Sequence, residues 1–157
     1  MVSAGDVRTD PAPVSVAAHL AHLHAQCFAA LPETPWSADA FRTILRVPTT
    51  VALIARFADD DIAGLLVGRQ VAGEGEILSL CVTPSMRRGG VARALLAGFF
   101  AQLPRNARVT LEVAVDNRPA IALYESAGFT ASGRRPDYYC GGENPVDAII
   151  YTRNPAA

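Results

Sequence analysis

The chain of 157 residues has the length of one ordinary domain, enough to bury a substantial core. Half of its residues are apolar, 18% are charged and the formal net charge is -1, a balance that excludes a disordered chain and a generalised nucleic-acid-binding surface. All 14 basic residues are arginine, which also excludes a phosphate-loop lysine, a pyridoxal Schiff base and a lysine nucleophile.

The segment Met1 to Pro13 carries Asp6 and Asp10 and has no basic stretch followed by an apolar one, and no run reaches the roughly 18 apolar residues of a membrane span. A cytoplasmic, unexported protein with no membrane and no nucleic-acid partner is expected. Cys27, Cys81 and Cys140 are odd in number and lack a Cys-x-x-Cys pair, so reduced thiols are expected and a disulfide framework or zinc knuckle is not.

In chain order, Val14 to Leu31 reads as a helix entered from Pro13, with Leu20, Leu23, Cys27 and Phe28 near helical spacing and Pro32 ending it. Ser37 to Leu45 reads as a short second helix, capped by Ser37, stopped by Pro48 and stapled by Trp36. Val51 to Phe57 and Ile62 to Val71 are β-rich runs joined by an acidic turn at Asp59, Asp60 and Asp61. A further strand spans Gly75 to Thr83, followed by a helix from Gly90 to Leu103 and a strand from Val109 to Val115. A helix from Arg118 to Ala127 follows, ended by Gly128 in the left-handed position. Phe129 to Tyr139 and Val146 to Arg153 complete the chain as two strands. One domain over residues 1–153 with a loose tail at 154–157 is the expected organisation.

The turn Arg87-Arg88-Gly89-Gly90-Val91-Ala92 is the most specific local signal. It leads from the strand ending at Cys81-Val82 into a helix whose free N-terminal amides and positive dipole end favour an anion. Gly90 permits close backbone approach, Ala92 keeps the next turn slim, and the two arginines supply charge-assisted contacts. The dinucleotide and phosphate-loop glycine patterns are absent. An ordinary strand-turn-helix with solvated arginines would carry the same letters.

Glu112 stands inside an otherwise apolar β run. Alternation places Leu111, Val113 and Val115 on one face and Glu112, Ala114 and Asp116 on the other, so a solvent-facing acid is the plain alternative. Asn117 suits a helix N-cap, and Tyr124 shares a helix face with Ala120 and Ile121, as a core tyrosine would.

With these blocks together the chain resembles the GNAT acyltransferase superfamily, whose anion motif [RQ]-x-x-G-x-[GA] is met by Arg87, Gly90 and Ala92. More narrowly it resembles the bacterial ribosomal-protein-alanine N-acetyltransferases, which acetylate the N-terminal alanine of small-subunit ribosomal protein eighteen. The segments that carry this are Pro35-Trp36-Ser37 with Phe41, Val82 to Leu96, Leu111-Glu112-Val113 with Asn117, Ala120 to Ser126 with Gly128-Phe129, and Arg134-Arg135 through Tyr138-Tyr139 to Ile150. The resemblance implies an α/β fold with a mixed, mainly antiparallel sheet flanked by helices and a splayed central strand pair. It implies acetyl-CoA as cosubstrate, a ribosomal-protein or other peptide N-terminus as partner, and direct transfer without a covalent enzyme intermediate. Glu112 would be the general base, acting through water, and Tyr124 the general acid toward the departing thiolate. Leu80, Cys81 and Val82 would hold the acetyl and pantetheine portion, Arg87, Arg88, Gly89, Gly90, Val91 and Ala92 the pyrophosphate, and Asn117 another part of the coenzyme. Ala114, Asp116 and the Gly141-Gly142-Glu143 turn depart from the pattern and bear on acceptor preference. A small-molecule amine as acceptor and a noncatalytic acyl-CoA-binding module are the alternatives.

Other features carry less. His19, His22 and His24 share one helix without an acid or cysteine to complete a metal set, so no metal is expected. Cys81 and Cys140 lack a neighbouring base that would make them nucleophiles. Arg134 and Arg135 read equally as acceptor contacts or as a solvated hairpin face.

Overall fold

In the computed structural model, which describes residues 6–155, seven strands form one sheet in the order β1-β2-β3-β4-β5-β7-β6. They are β1 (Arg8–Pro11), β2 (Thr50–Arg56), β3 (Ile62–Val71), β4 (Glu74–Val82), β5 (Val109–Ala114), β6 (Thr130–Tyr139) and β7 (Val146–Arg153). Four helices flank it: α1 (Ala17–Phe28), α2 (Ala38–Leu45), α3 (Val91–Ala101) and α4 (Arg118–Ser126). Every neighbouring pair is antiparallel except β4 and β5. The mixed, mainly antiparallel sheet read from the sequence is therefore present. Among the described residues no helix is long and apolar enough to cross a membrane.

Two apolar clusters sandwich the sheet. Leu53, Leu66, Leu95, Phe99, Val109 and Tyr124 belong to the cluster under α3 and α4, and Leu20, Phe28, Phe41, Ile54 and Leu65 to the one under α1 and α2. Because both faces are covered, β3 is buried at seven successive residues from Ile62 to Gly68 and reads as a continuous apolar run rather than an alternating one. The absence of side chains at Gly64 and Gly68 lets α3 lie close: a Cβ at Gly68 would sit 2.5 Å from Phe99 Cε2 and 2.7 Å from the Glu76 carbonyl.

The relation of β4 to β5 positions everything that follows. The two strands pair only from Gly75 to Ile77 against Val109 to Leu111, then run on without pairing. The register of β4 against β3 slips at the same place: Val67 opposes Ser79 while Gly68 opposes Ile77, leaving Leu78 as an extra residue. Such a bulge bends its strand, here where the pairing of β4 with β5 stops. The splayed pair expected from the resemblance thus has a local cause at Leu78.

Two sequence expectations change. α1 begins at Ala17, preceded by a single 3-10 turn over Val14–Val16, and ends at Phe28 instead of Leu31. β1 was not anticipated, since four residues containing Asp10 and Pro11 carry no strand periodicity; the edge position, with pairing to β2 alone, is where proline is tolerated. Met1 to Gly5, part of the segment read as lacking an export signal, and Ala156 and Ala157 of the expected tail lie outside the described residues.

Candidate acetyl-transfer site

The splay opens a groove of about 860 Å³ between β4, β5 and the N-termini of α3 and α4. Of the residues singled out from the sequence, Leu80, Cys81, Val82, Arg87, Arg88, Gly90, Val91, Ala92, Glu112, Asn117 and Tyr124 all line it. Gly89 does not; a side chain there would point toward Phe57 and the Met86 carbonyl.

At the start of α3, Gly90 takes φ 82° as N-cap and supplies no side-chain cap, so the first amides of the helix have no side-chain acceptor. Arg88 also holds a positive φ of 68°, a conformation an arginine adopts only under constraint. Arg87, expected as a phosphate arm, donates its Nε back to the Val82 carbonyl at 3.3 Å and so braces the turn against β4. The Thr83 amide bonds the Ala63 carbonyl, and antiparallel alternation then turns the Leu80 and Val82 amides away from β3 and toward the opening. Cys81 turns its main chain toward β3 and its thiol toward Cys27. The hydrogen bond to Cys27, followed by burial, holds the pKa of the Cys81 thiol well above its ordinary value, so it stays protonated.

Tyr124 is placed by the end of its helix. Phe129 N–H bonds the Tyr124 carbonyl at 3.0 Å and Gly128 N–H the Glu125 carbonyl at 3.1 Å, with Gly128 at φ 94°. This is a complete Schellman motif, and its hydrophobic contact is Tyr124 against Phe129, ring centroids 5.7 Å apart. Burial pushes the Tyr124 phenol well above its usual range, with the charges of Glu33 and Cys81 adding to the effect. Asn117 caps α4 as expected, its Oδ1 accepting from Ala120 N–H at 3.3 Å.

Glu112 is the first residue of β5 beyond the pairing with β4. Its face is not a solvent face: Ala114 is fully buried and the Glu112 side chain is 20% exposed. Arg135 Nε lies 2.8 Å from Glu112 Oε1, and the pKa of Tyr138 is raised above its usual value first by hydrogen bonding to Glu112 and then by burial. The hairpin face considered for Arg134 and Arg135 is solvated, their side chains being 62% and 55% exposed, yet both are paired: Arg135 with Glu112 and Arg134 with Asp147.

Sequence reasoning missed a second cavity of about 370 Å³ on the other side of Glu112, lined by Glu33, Trp36, Glu76, Tyr138, Tyr139 and Gly141 among others. Glu33 and Glu112 line both this cavity and the groove. Glu33 sits in the loop between α1 and α2, where no periodicity marks it. That loop is held at two points: Gly141 N–H bonds the Pro32 carbonyl at 3.0 Å, and Trp36 N–H bonds His24 Nδ1 at 3.1 Å. Accepting at Nδ1 leaves His24 Nε2 to donate to Ser79 Oγ at 2.9 Å. His24 is thus a neutral core histidine, stacked on Phe28 and Trp36, with burial pulling its acidity down to about 4.

Residues 17–129 match the family model described as Acetyltransferase (GNAT) family. The chain belongs to that family. GNAT enzymes use acetyl-CoA as cosubstrate, and the splayed strands with a helix N-terminus that has no side-chain cap beside them suit a long thioester that carries a pyrophosphate along its length. Among GNAT relatives, the [ribosomal protein bS18]-alanine N-acetyltransferase of Salmonella typhimurium is 38% identical over 95 residues, 59% of this chain and 64% of that protein. The match thus spans just under two-thirds of that relative. The N-alpha-acetyltransferase RimI of Mycobacterium tuberculosis is 34% identical over 140 residues, covering 83% of this chain and 87% of that one. The crystal structure of the ribosomal-protein-S18-alanine N-acetyltransferase from Escherichia coli superposes with TM-score 0.84 at 27% identity, covering 96% of each chain.

Proposed function

We propose that this chain transfers acetyl from acetyl-CoA to the α-amine of a protein N-terminus, with the N-terminal alanine of ribosomal protein bS18 as its leading acceptor. The observation that carries the reading is that Glu112 and Tyr124, from two different elements, line one groove where β4 and β5 part. The names of the Salmonella, Mycobacterium and Escherichia relatives support the acceptor class.

Acetyl-CoA supplies an activated thioester carbonyl. The amides at the start of α3 receive its pyrophosphate, with Arg88 adding charge, and the Leu80 and Val82 amides take the pantetheine end and the charge that develops on the carbonyl oxygen. Glu112, reached through water, takes the proton that the nitrogen sheds on attack. Tyr124 gives its proton to the leaving sulfur. Its raised pKa guarantees that the proton is present at neutral pH, and because a phenol so shifted is a weaker acid than a thiol near 8.5, the transfer is coupled to cleavage of the carbon–sulfur bond.

Acceptor chemistry favours an α-amine. At pH 7 an α-amine of pKa about 7.7–8.0 is roughly 10–20% neutral, whereas a lysine amine near 10.4 is below about 0.1%. A second reading, a small polycationic amine, is favoured by one feature: Glu33, Glu76 and Glu112 all line the acceptor-side cavity. Mass spectrometry after incubation with acetyl-CoA separates the two, using peptides with free N-terminal alanine, the same peptides blocked at the N-terminus but carrying a lysine, and small polyamines. Acetylation of the free α-amine alone is expected. Modification of the polyamines alone would select the second reading, and no product with any amine would overturn acetyl transfer altogether.

A further inference from the structure

Three carboxylates face the acceptor-side cavity, and two of them are neutralised. Glu76 pairs with Arg69 at 2.6 Å and Glu112 with Arg135 at 2.8 Å. Among the described residues no salt bridge or hydrogen bond reaches the Glu33 carboxylate, although it lines both the acceptor-side cavity and the groove. Its loop is clasped by Gly141 at Pro32 and by His24 at Trp36, so the backbone that carries the group is fixed at the junction.

We propose that Glu33 meets the acceptor's ammonium at this junction and takes its first proton, leaving Glu112 to receive the second. The proposal rests on the amine-acetylation reading and adds to it a residue outside the motif that defined the site. The proton count requires it: an ammonium must lose one proton to become a nucleophile and another when its nitrogen bonds to carbon. In the first step the N–H bond breaks, its electron pair stays on nitrogen, and Glu33 becomes a carboxylic acid. In the second, the N–C bond forms as the C–S bond breaks, Tyr124 protonates the sulfur, and the proton collected at Glu112 restores Tyr124. Glu33 then returns its proton to solvent, so one ammonium and one thioester give one amide, one thiol and one released proton.

Acidity supports the assignment. Burial pushes the Glu33 carboxyl up to about 7, where Tyr124, Tyr139 and Cys81 face it from α4, β6 and β4 without supplying a positive charge. Taking a proton from an α-ammonium is then uphill by about one unit, against roughly 3.5 units for an ordinary glutamate, and a lysine ammonium remains more than about 3 units away. Glu33 thereby becomes a device that prefers α-amines.

The test uses a hexapeptide with a free N-terminal alanine, or whichever amine the panel above identifies, with wild type, Glu33→Gln and Glu33→Asp, following kcat/KM from pH 5.5 to 9. Wild type should give a bell, rising through pH 7 and falling above about 8 as the free peptide amine loses its proton. Glu33→Gln should raise the peptide KM by about tenfold near pH 7.5 and convert the bell into a monotonic rise, with acetyl-CoA affinity unmoved. Glu33→Asp should restore the bell. Glu33→Gln also removes a poorly solvated charge, so its melting temperature above pH 7 should be at or above that of wild type. A variant with peptide KM within about twofold of wild type and the same pH profile overturns this inference alone. Wild type inactive on every amine overturns the functional reading, and the inference falls with it.

Discussion

Arg135, on the edge strand β6, reaches over β7 to place its Nε 2.8 Å from Oε1 of Glu112 on β5. The candidate base therefore carries a fixed cationic neighbour that approaches from two strands away. The guanidinium also lies 5.5 Å from the ring of Tyr138, so three side chains hold one another on the acceptor side of the groove. Because the Arg135 side chain is 55% exposed, Arg135→Gln should change stability by less than about 1 kcal/mol. Loss of the constraint on Glu112 should nonetheless lower kcat/KM by up to about a hundredfold. Thermal melts alongside steady-state kinetics read both, and an unaltered rate would reduce Arg135 to a surface ion pair.

Glu112→Gln retains the shape of the side chain and removes its ability to accept the second proton. A loss of about a hundredfold or more in kcat at neutral pH is expected, with acetyl-CoA affinity by calorimetry nearly unchanged. Unchanged turnover would remove Glu112 from the chemistry.

Tyr124→Phe deletes one oxygen and preserves the contact of the ring with Phe129 at the end of α4. Folding should be maintained while the single-turnover rate falls by about a hundredfold. A normal single-turnover rate with a changed kcat would assign Tyr124 to product release instead.

Gly68→Ala tests the approach of α3 to the sheet. Alanine ordinarily stabilises relative to glycine by about 0.4–1 kcal/mol through the unfolded chain. Here its Cβ would sit 2.5 Å from Phe99 and 2.7 Å from a backbone carbonyl that cannot rotate away. The clash should win, with a net loss of about 1–3 kcal/mol measurable by urea denaturation. A variant as stable as wild type would show that α3 has room to retreat.

His24 makes stability depend on pH. Its folded acidity, pulled down to about 4 by burial, lies below the unfolded value near 6.5, so between these the unfolded chain takes up a proton that the folded one refuses. The His24 contribution is complete above about pH 6.5 and is lost as pH falls toward 4. Glu33, pushed up to about 7, acts with the opposite sign, contributing stability that is lost as pH rises from about 4.5 to 7. The measurement is therefore the difference between wild type and His24→Asn, which should grow with pH across 4 to 6.5. A difference that stays flat would mean that His24 titrates freely in the folded protein.

Much of the frame was legible because it depends on neighbours a few residues apart. Ser37 caps α2 by accepting from Ala40 N–H, and Trp36 packs on Phe41 in the staple that the spacing suggested. Asn117 caps α4, Gly128 ends it, and Gly90 opens α3, each a backbone requirement met by the residue itself. Glu112 and Tyr124 were legible as candidates, yet their letters alone left a surface acid and a core tyrosine as open alternatives.

Local chemistry written in the chain determined the caps, the turns, most strand and helix spans and the glycine turn that opens α3, because a hydrogen bond to the third or fourth neighbour needs no knowledge of the rest of the fold. Only the tertiary structure decided which carboxylates are neutralised. Arg135 meets Glu112 and Arg69 meets Glu76 through strand register, while Glu33, at the edge of both cavities, has no paired charge among the described residues. The bulge at Leu78 and the neutral His24 behind the Glu33 loop belong to the same class. Charge pairing and desolvation depend on what distant segments bring within a few ångströms, and no spacing along a single chain encodes that.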